Sequence, residues 1–334
     1  PCAGCRGCCH ILAPNHFSYH PQLHVVHPVG QISYKGGKFG FGSLDTLIRN
    51  AISAKPSGAA PPHEIIIEDA NITVLSDYGL IRTHGSLTLH DGLLSDLRLQ
   101  MPESQLDGTL GQGEAVGGLI TARSVKTAQN GDQLQVQARF TADSLDARTD
   151  PMSPVNADHQ KTHLQGVVLT LDSRLPYRHS KSMIEAFTGP AKADIGLKAE
   201  GFQGQAAYIN GLEAVLRLDG QLQTTASGLT YRGPARLVTQ IDHLETGTLD
   251  SQDIGLIAPD LTLMAGWDVV KGAALEMSGP VTGHLGLLRQ GDLFAKDARL
   301  DLSRVKLNGD AAGGDLAFKG ALITQRLAAG DLSL

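Results

Sequence analysis

The densest set of reactive side chains in this sequence is Cys2-Ala3-Gly4-Cys5-Arg6-Gly7-Cys8-Cys9, followed at once by His10. Thiolates at this spacing can converge on one zinc or iron ion, and the imidazole could add a nitrogen ligand. A structural metal site needs further ligands and a fold to hold it. The remaining sequence contains no cysteine, so the string reads as a terminal tail and no metal or other cofactor is expected. His16, His20 and His24 would share one face of a helix, but Pro21 interrupts it, which leaves loop histidines. Gly111-Gln112-Gly113-Glu114-Ala115-Val116-Gly117 has one residue too many for a dinucleotide fingerprint and no strand–helix–strand context, so it reads as a turn. Asp158-His159 and Asp242-His243 have no nucleophile placed beside them, and no P-loop, GxSxG elbow or HExxH is found. The expectation is a protein that is not an enzyme.

Any such groups would have to be carried on short strands. The chain has 334 residues, with 41% hydrophobic but only 4% aromatic content and 39 glycines. The apolar bulk is Leu, Ile, Val and Ala in a chain that turns often, which suits an all-β class. Net charge is −6 with no basic block, which disfavours a nucleic-acid surface. No apolar run approaches the ~20 residues of a membrane-spanning helix. The first residue is Pro and the sequence stops in a strand-like pattern, so it reads as a fragment.

Residues 1–28 hold every Cys and several His and form an atypical tail; 29–334 form an elongated β region. Leu44, Leu47, Ile48 and Ile52 predict one helix, and 180–189 a second, short one. From Glu64 onward the hydrophobic period is two. Ile72 and Val74, Leu87 and Leu89, Leu97 and Leu99, Leu134 and Val136, Val167 and Leu169, Leu261 and Leu263, and Leu300 and Leu302 alternate with mostly polar neighbours. Asp77-Tyr78-Gly79, His84-Gly85, His90-Asp91-Gly92, Pro102, Asn130-Gly131, Asp219-Gly220 and Asn308-Gly309 read as turns, and 141–165 as a loop. This spacing predicts roughly 20–25 short strands, more than one sandwich uses.

Two helices are too few to cover one apolar face of so long a sheet. Either a second sheet closes the core, as in a structural or adhesive sandwich or solenoid, or the sheet curls around apolar ligands. A hollow lined by the fourteen residues above would solvate acyl chains, each buried CH₂ contributing about 0.8 kcal/mol through non-directional contacts.

The order Ile65-Ile66-Ile67-Glu68-Asp69-Ala70-Asn71-Ile72-Thr73-Val74, Asp77-Tyr78-Gly79-Leu80-Ile81, then Gly85-Ser86-Leu87-Thr88-Leu89-His90-Asp91-Gly92, preceded by Gly42-Ser43-Leu44-Asp45-Thr46-Leu47, resembles YdbH-type AsmA-like proteins over about residues 20–110. The resemblance implies a repeating β-groove, an antiparallel sheet curled into a taco shape, that carries phospholipids between bacterial membranes. It also implies a periplasmic location, inner-membrane anchoring through an N-terminal segment missing from this sequence, and an outer-membrane lipoprotein as partner. The Cys-rich start departs from the family pattern.

Overall fold

A computed structural model describes residues 22–35, 38–40, 63–91, 93–108, 111–127, 131–148, 161–177, 187–204, 207–224, 228–268, 272–310, 313–329 and 332–333. The strands are β1 (Gln22–Val26), β2 (Val29–Lys35), β3 (Lys38–Gly40), β4 (Glu64–Ser76), β5 (Gly79–His90), β6 (Leu93–Asp107), β7 (Gly111–Thr127), β8 (Gly131–Arg148), β9 (Lys161–Pro176), β10 (Gly189–Gln203), β11 (Tyr208–Thr224), β12 (Gly228–Thr246), β13 (Leu249–Asp268), β14 (Gly272–Gln290), β15 (Leu293–Asp310), β16 (Gly313–Ala329) and β17 (Leu332–Ser333). All 17 belong to one sheet. From β4 to β16 each strand pairs antiparallel with the next, while β1 and β2 both pair in parallel with β4. The protein is therefore all-β, a long, open, curled sheet forming an elongated groove. At about 4.8 Å per strand the β4–β16 meander runs on the order of 60 Å.

Among the described residues the strands are fewer and longer than the alternation predicts. Gly85, Pro102 and Gly220 lie inside β5, β6 and β11, and the Gly111–Gly117 segment runs along β7. Bulges and close approaches recruit the same residue types as turns. Gly220 shows the second case: a Cβ on it would come 2.8 Å from the Cα of Gly233 and 2.7 Å from the Tyr231 hydroxyl. Tyr231 spans this gap and donates to the carbonyl of Pro234 at 2.9 Å.

Two boundaries also move. Gln22–Val26 aligns with Glu64–Glu68, so the sheet begins inside the expected tail. Of the expected loop over 141–165, residues 141–148 belong to β8 and 161–165 to β9, and 149–160 lie outside the described residues. The helix expected at 44–52 and residues 180–186 of the second lie outside the described residues, whereas Gly189 opens β10.

A structural repeat emerges that the residue types conceal. Ala115, Gly166, Gly211, Asp253 and Asp297 all have left-handed φ, between 49° and 65°. Each sits near the start of β7, β9, β11, β13 and β15, one per two-strand unit. Each adds one outward residue, so inward positions there are three apart, as in Leu164 and Val167, Ile209 and Leu212, and Ser251 and Ile254. At Gly211 (φ 65°) a side chain would also collide with the carboxylate of Asp242. Gly211→Val is expected to lose at least about 1–2 kcal/mol, the left-handed penalty alone. Chemical denaturation followed by circular dichroism measures this; an unchanged midpoint would mean the bulge is not required.

Charge fixes register on the opposite face. Lys192 meets Asp219 at 2.7 Å, Lys198 meets Glu213 at 3.0 Å and Arg217 meets Asp194 at 3.6 Å, all between β10 and β11. These exposed pairs contribute at most about 1 kcal/mol each, but a one-residue slip would bring the apolar residues to this face.

Candidate functional site

The cross-strand register places all fourteen alternating apolar residues on a single face. Val74 lies opposite Ile81, and Ile72 opposite Thr83; Leu87 pairs with Leu97, and Leu99 with Ile120. Val136 lies opposite Ala122, Leu134 opposite Leu175, Val167 opposite Ala142 and Leu169 opposite Phe140. The row continues through Leu197, Ala214, Thr239 and Leu256. Leu261 pairs with Ala235 and Leu263 with Met277, while Leu300 and Leu302 meet Gly283 and Val281. Leu300 in turn pairs with Leu322 on β16.

The chain does not cover this face with a second layer among the described residues. Every substantial contact between strands joins sheet neighbours. The curl instead lets inward side chains bury one another in three patches. One centres on Leu222, Tyr231, Leu261 and Leu263, another on Leu106, Val116, Ala142 and Val167, and a third on Ala122, Leu134 and Tyr177.

Leu134, Val167, Leu261 and Leu263 belong to these patches and are buried. Ile72, Val74, Leu87, Leu89, Leu97, Leu99, Val136, Leu300 and Leu302 remain half-buried, and Leu169 is 42% exposed. Ile120, two strands away on β7 and in row with Ala138 and Leu171, is 43% exposed. Between the packed patches the apolar floor therefore meets solvent. Leu316 and Phe318 continue it on β16 and are the most exposed apolar residues of that face.

Tyr177, which the alternation gives no reason to select, closes part of one rim. It follows β9, yet its hydroxyl accepts the backbone N–H of Leu94 on β6 at 2.5 Å. Its own N–H donates to the carbonyl of Asp132 at 3.0 Å. Phe187 lies against its ring, with centroids 5.5 Å apart. The side chain bridges β6 to β9 over Ala122 and Leu134. Burial raises the Tyr177 pKa above 10.0, and the Leu94 hydrogen bond opposes that rise. A Pro-Tyr pair at the end of a strand is too common a signal to identify such a strap.

A separate cavity of about 390 Å³ opens on the other face, lined by Val238, Gln240, Ile257, Thr282, His284 and Arg299. It lies over Gly255, where no side chain fills the space between strands. Its lining combines Val238 and Ile257 with the polar side chains of Gln240, His284 and Arg299.

Among the described residues, His24 and the Asp242-His243 pair do not come together in a site. The Cys string, His10, His16 and His20 lie outside the described residues, as do Asp158 and His159. His24 pairs with Glu68 at 3.1 Å, and His243 with Asp250 at 3.0 Å. No described helix is long and apolar enough to cross a membrane. Compared with known proteins, the chain matches no family model, no curated protein and no solved structure.

Proposed function

We propose that this protein holds lipid acyl chains in its curled sheet and guides phospholipids between the inner and outer membranes of a bacterium. One observation carries the reading: a single apolar face continues across β4–β16 with no second layer over it among the described residues. An apolar surface of that extent is rarely left to water in a folded protein. Its lining is aliphatic, so a tail would be held by many weak contacts and could move along the strands. The resemblance to YdbH-type AsmA-like proteins adds the periplasmic setting, anchoring to the inner membrane and an outer-membrane lipoprotein partner. Binding and transfer require no catalytic group.

The three packed patches favour a second reading, a structural or adhesive module whose inward side chains satisfy one another. Native mass spectrometry with lipid extraction separates the two. The full chain, incubated with phosphatidylethanolamine and phosphatidylglycerol vesicles, is expected to retain phospholipid. Ile120→Asp with Leu169→Asp, at positions already partly exposed, should lose most of it while keeping the circular dichroism of the parent. A folded parent that takes up no phospholipid would sink the proposal in favour of the second reading.

A further inference from the structure

We infer that the β4–β5 end of the sheet binds a divalent cation of the zinc type through His63, His90 and Asp91. Their ligand atoms all lie within 4.8 Å of one another, and no other described set of three does so. The backbone fixes them from two directions. Asp91 donates its N–H to the carbonyl of His63 at 2.7 Å, and Glu64 pairs with His90 in the β4–β5 register. Asp91 follows β5 directly and has left-handed φ (50°). Nδ1 of His63 contacts one carboxylate oxygen of Asp91. The other oxygen is 3.9 Å from Nε2 of His90. The two imidazoles meet edge-on with centroids 4.2 Å apart.

This combination is chemically distinct from the other histidine–carboxylate pairs. His27 with Asp69, His163 with Asp146 and His243 with Asp250 each bring one imidazole to one carboxylate. Such a pair is satisfied by one hydrogen bond or ion pair. Two imidazoles and a carboxylate supply the mixed nitrogen and oxygen donors that zinc accepts at about 2.0–2.2 Å. Ligands on a tetrahedral ion at those lengths stand roughly 3.3 Å apart, so small side-chain rotations suffice to close the set. His90 and Asp91 are exposed, which leaves a position for water or a fourth group.

The test must exclude the N-terminal thiols, so it uses the full chain carrying Cys2→Ser, Cys5→Ser, Cys8→Ser and Cys9→Ser. Equilibrium dialysis against micromolar Zn²⁺, read by elemental analysis, should find one ion per chain. His63→Ala and His90→Ala in the same background should each weaken uptake on the order of 10–100-fold or more, the loss seen even when only a ligand's supporting contact is removed. Zn²⁺ should raise the melting temperature of the parent but not of these variants, because an ion that binds only the folded chain stabilises it. No uptake in the Cys-free chain would overturn the assignment, as would uptake that the two histidine variants leave unchanged.

Discussion

Tyr177→Ala is expected to lower stability by about 3–5 kcal/mol, the range for deleting a buried aromatic side chain. The ring is 3% exposed and packs against Ala122 and Leu134 on strands distant from it in sequence. Its removal opens a cavity at the rim and leaves the Leu94 N–H without its acceptor. Tyr177→Phe separates these effects. It keeps the ring and removes only the acceptor, at a cost of about 1–3 kcal/mol. The two variants, compared by chemical denaturation, should differ by the packing contribution. Equal losses would place the whole effect in the hydrogen bond.

The same residue sets an alkaline limb. Its folded pKa is raised by burial, so the folded state keeps the phenol proton after the unfolded chain has released it. The stabilisation is fully present below the unfolded value of about 10. It is lost as pH rises from there through the folded pKa. Tyr177→Phe should flatten that part of the stability profile.

What the sequence makes legible is local. Each candidate pair, such as Leu87 with Leu89 or Leu300 with Leu302, spans only two residues, and strand alternation fixes the shared face over that distance. Longer stretches cannot be phased in this way. On β9, Leu164 and Val167 face inward together because Gly166 adds a residue between them, and on β13 the same holds for Ser251 and Ile254 around Asp253. The left-handed position is filled by Ala115 on β7, by glycine on β9 and β11, and by aspartate on β13 and β15. One backbone conformation thus appears as three residue types, and the repeat disappears from the sequence.

Long-range closures are hidden for a different reason. The contact between Tyr177 and Leu94 depends on how far the sheet curls. The His63, His90 and Asp91 set depends on which strand ends pair. Neither property resides in a local pattern. Mistaking Gly220 for a turn has a similar origin: a glycine that admits a neighbouring backbone is indistinguishable in sequence from one that reverses the chain.

The floor itself gives the second large effect, through two leucines on one face. Leu261 is 2% exposed and lies over Gly279, where a Cβ would meet its side chain at 3.0 Å. Leu261→Ala should cost about 2–5 kcal/mol, because the surrounding patch of Ala235, Ala258 and Leu263 cannot fully collapse into the space. Leu169 is 42% exposed and should cost no more than about 1 kcal/mol when changed to Ala. Phospholipid binding should reverse this ranking. Bound acyl chains would stabilise the parent, and Leu169→Ala would reduce that gain by removing a contact surface that the protein leaves open. Leu261→Ala would lose intrinsic stability yet retain most of the lipid-dependent increment. Thermal unfolding of both variants, with and without phospholipid, reads the two quantities separately. If lipid raises the melting temperature of all three chains equally, the exposed floor around Leu169 is not where the acyl chain sits.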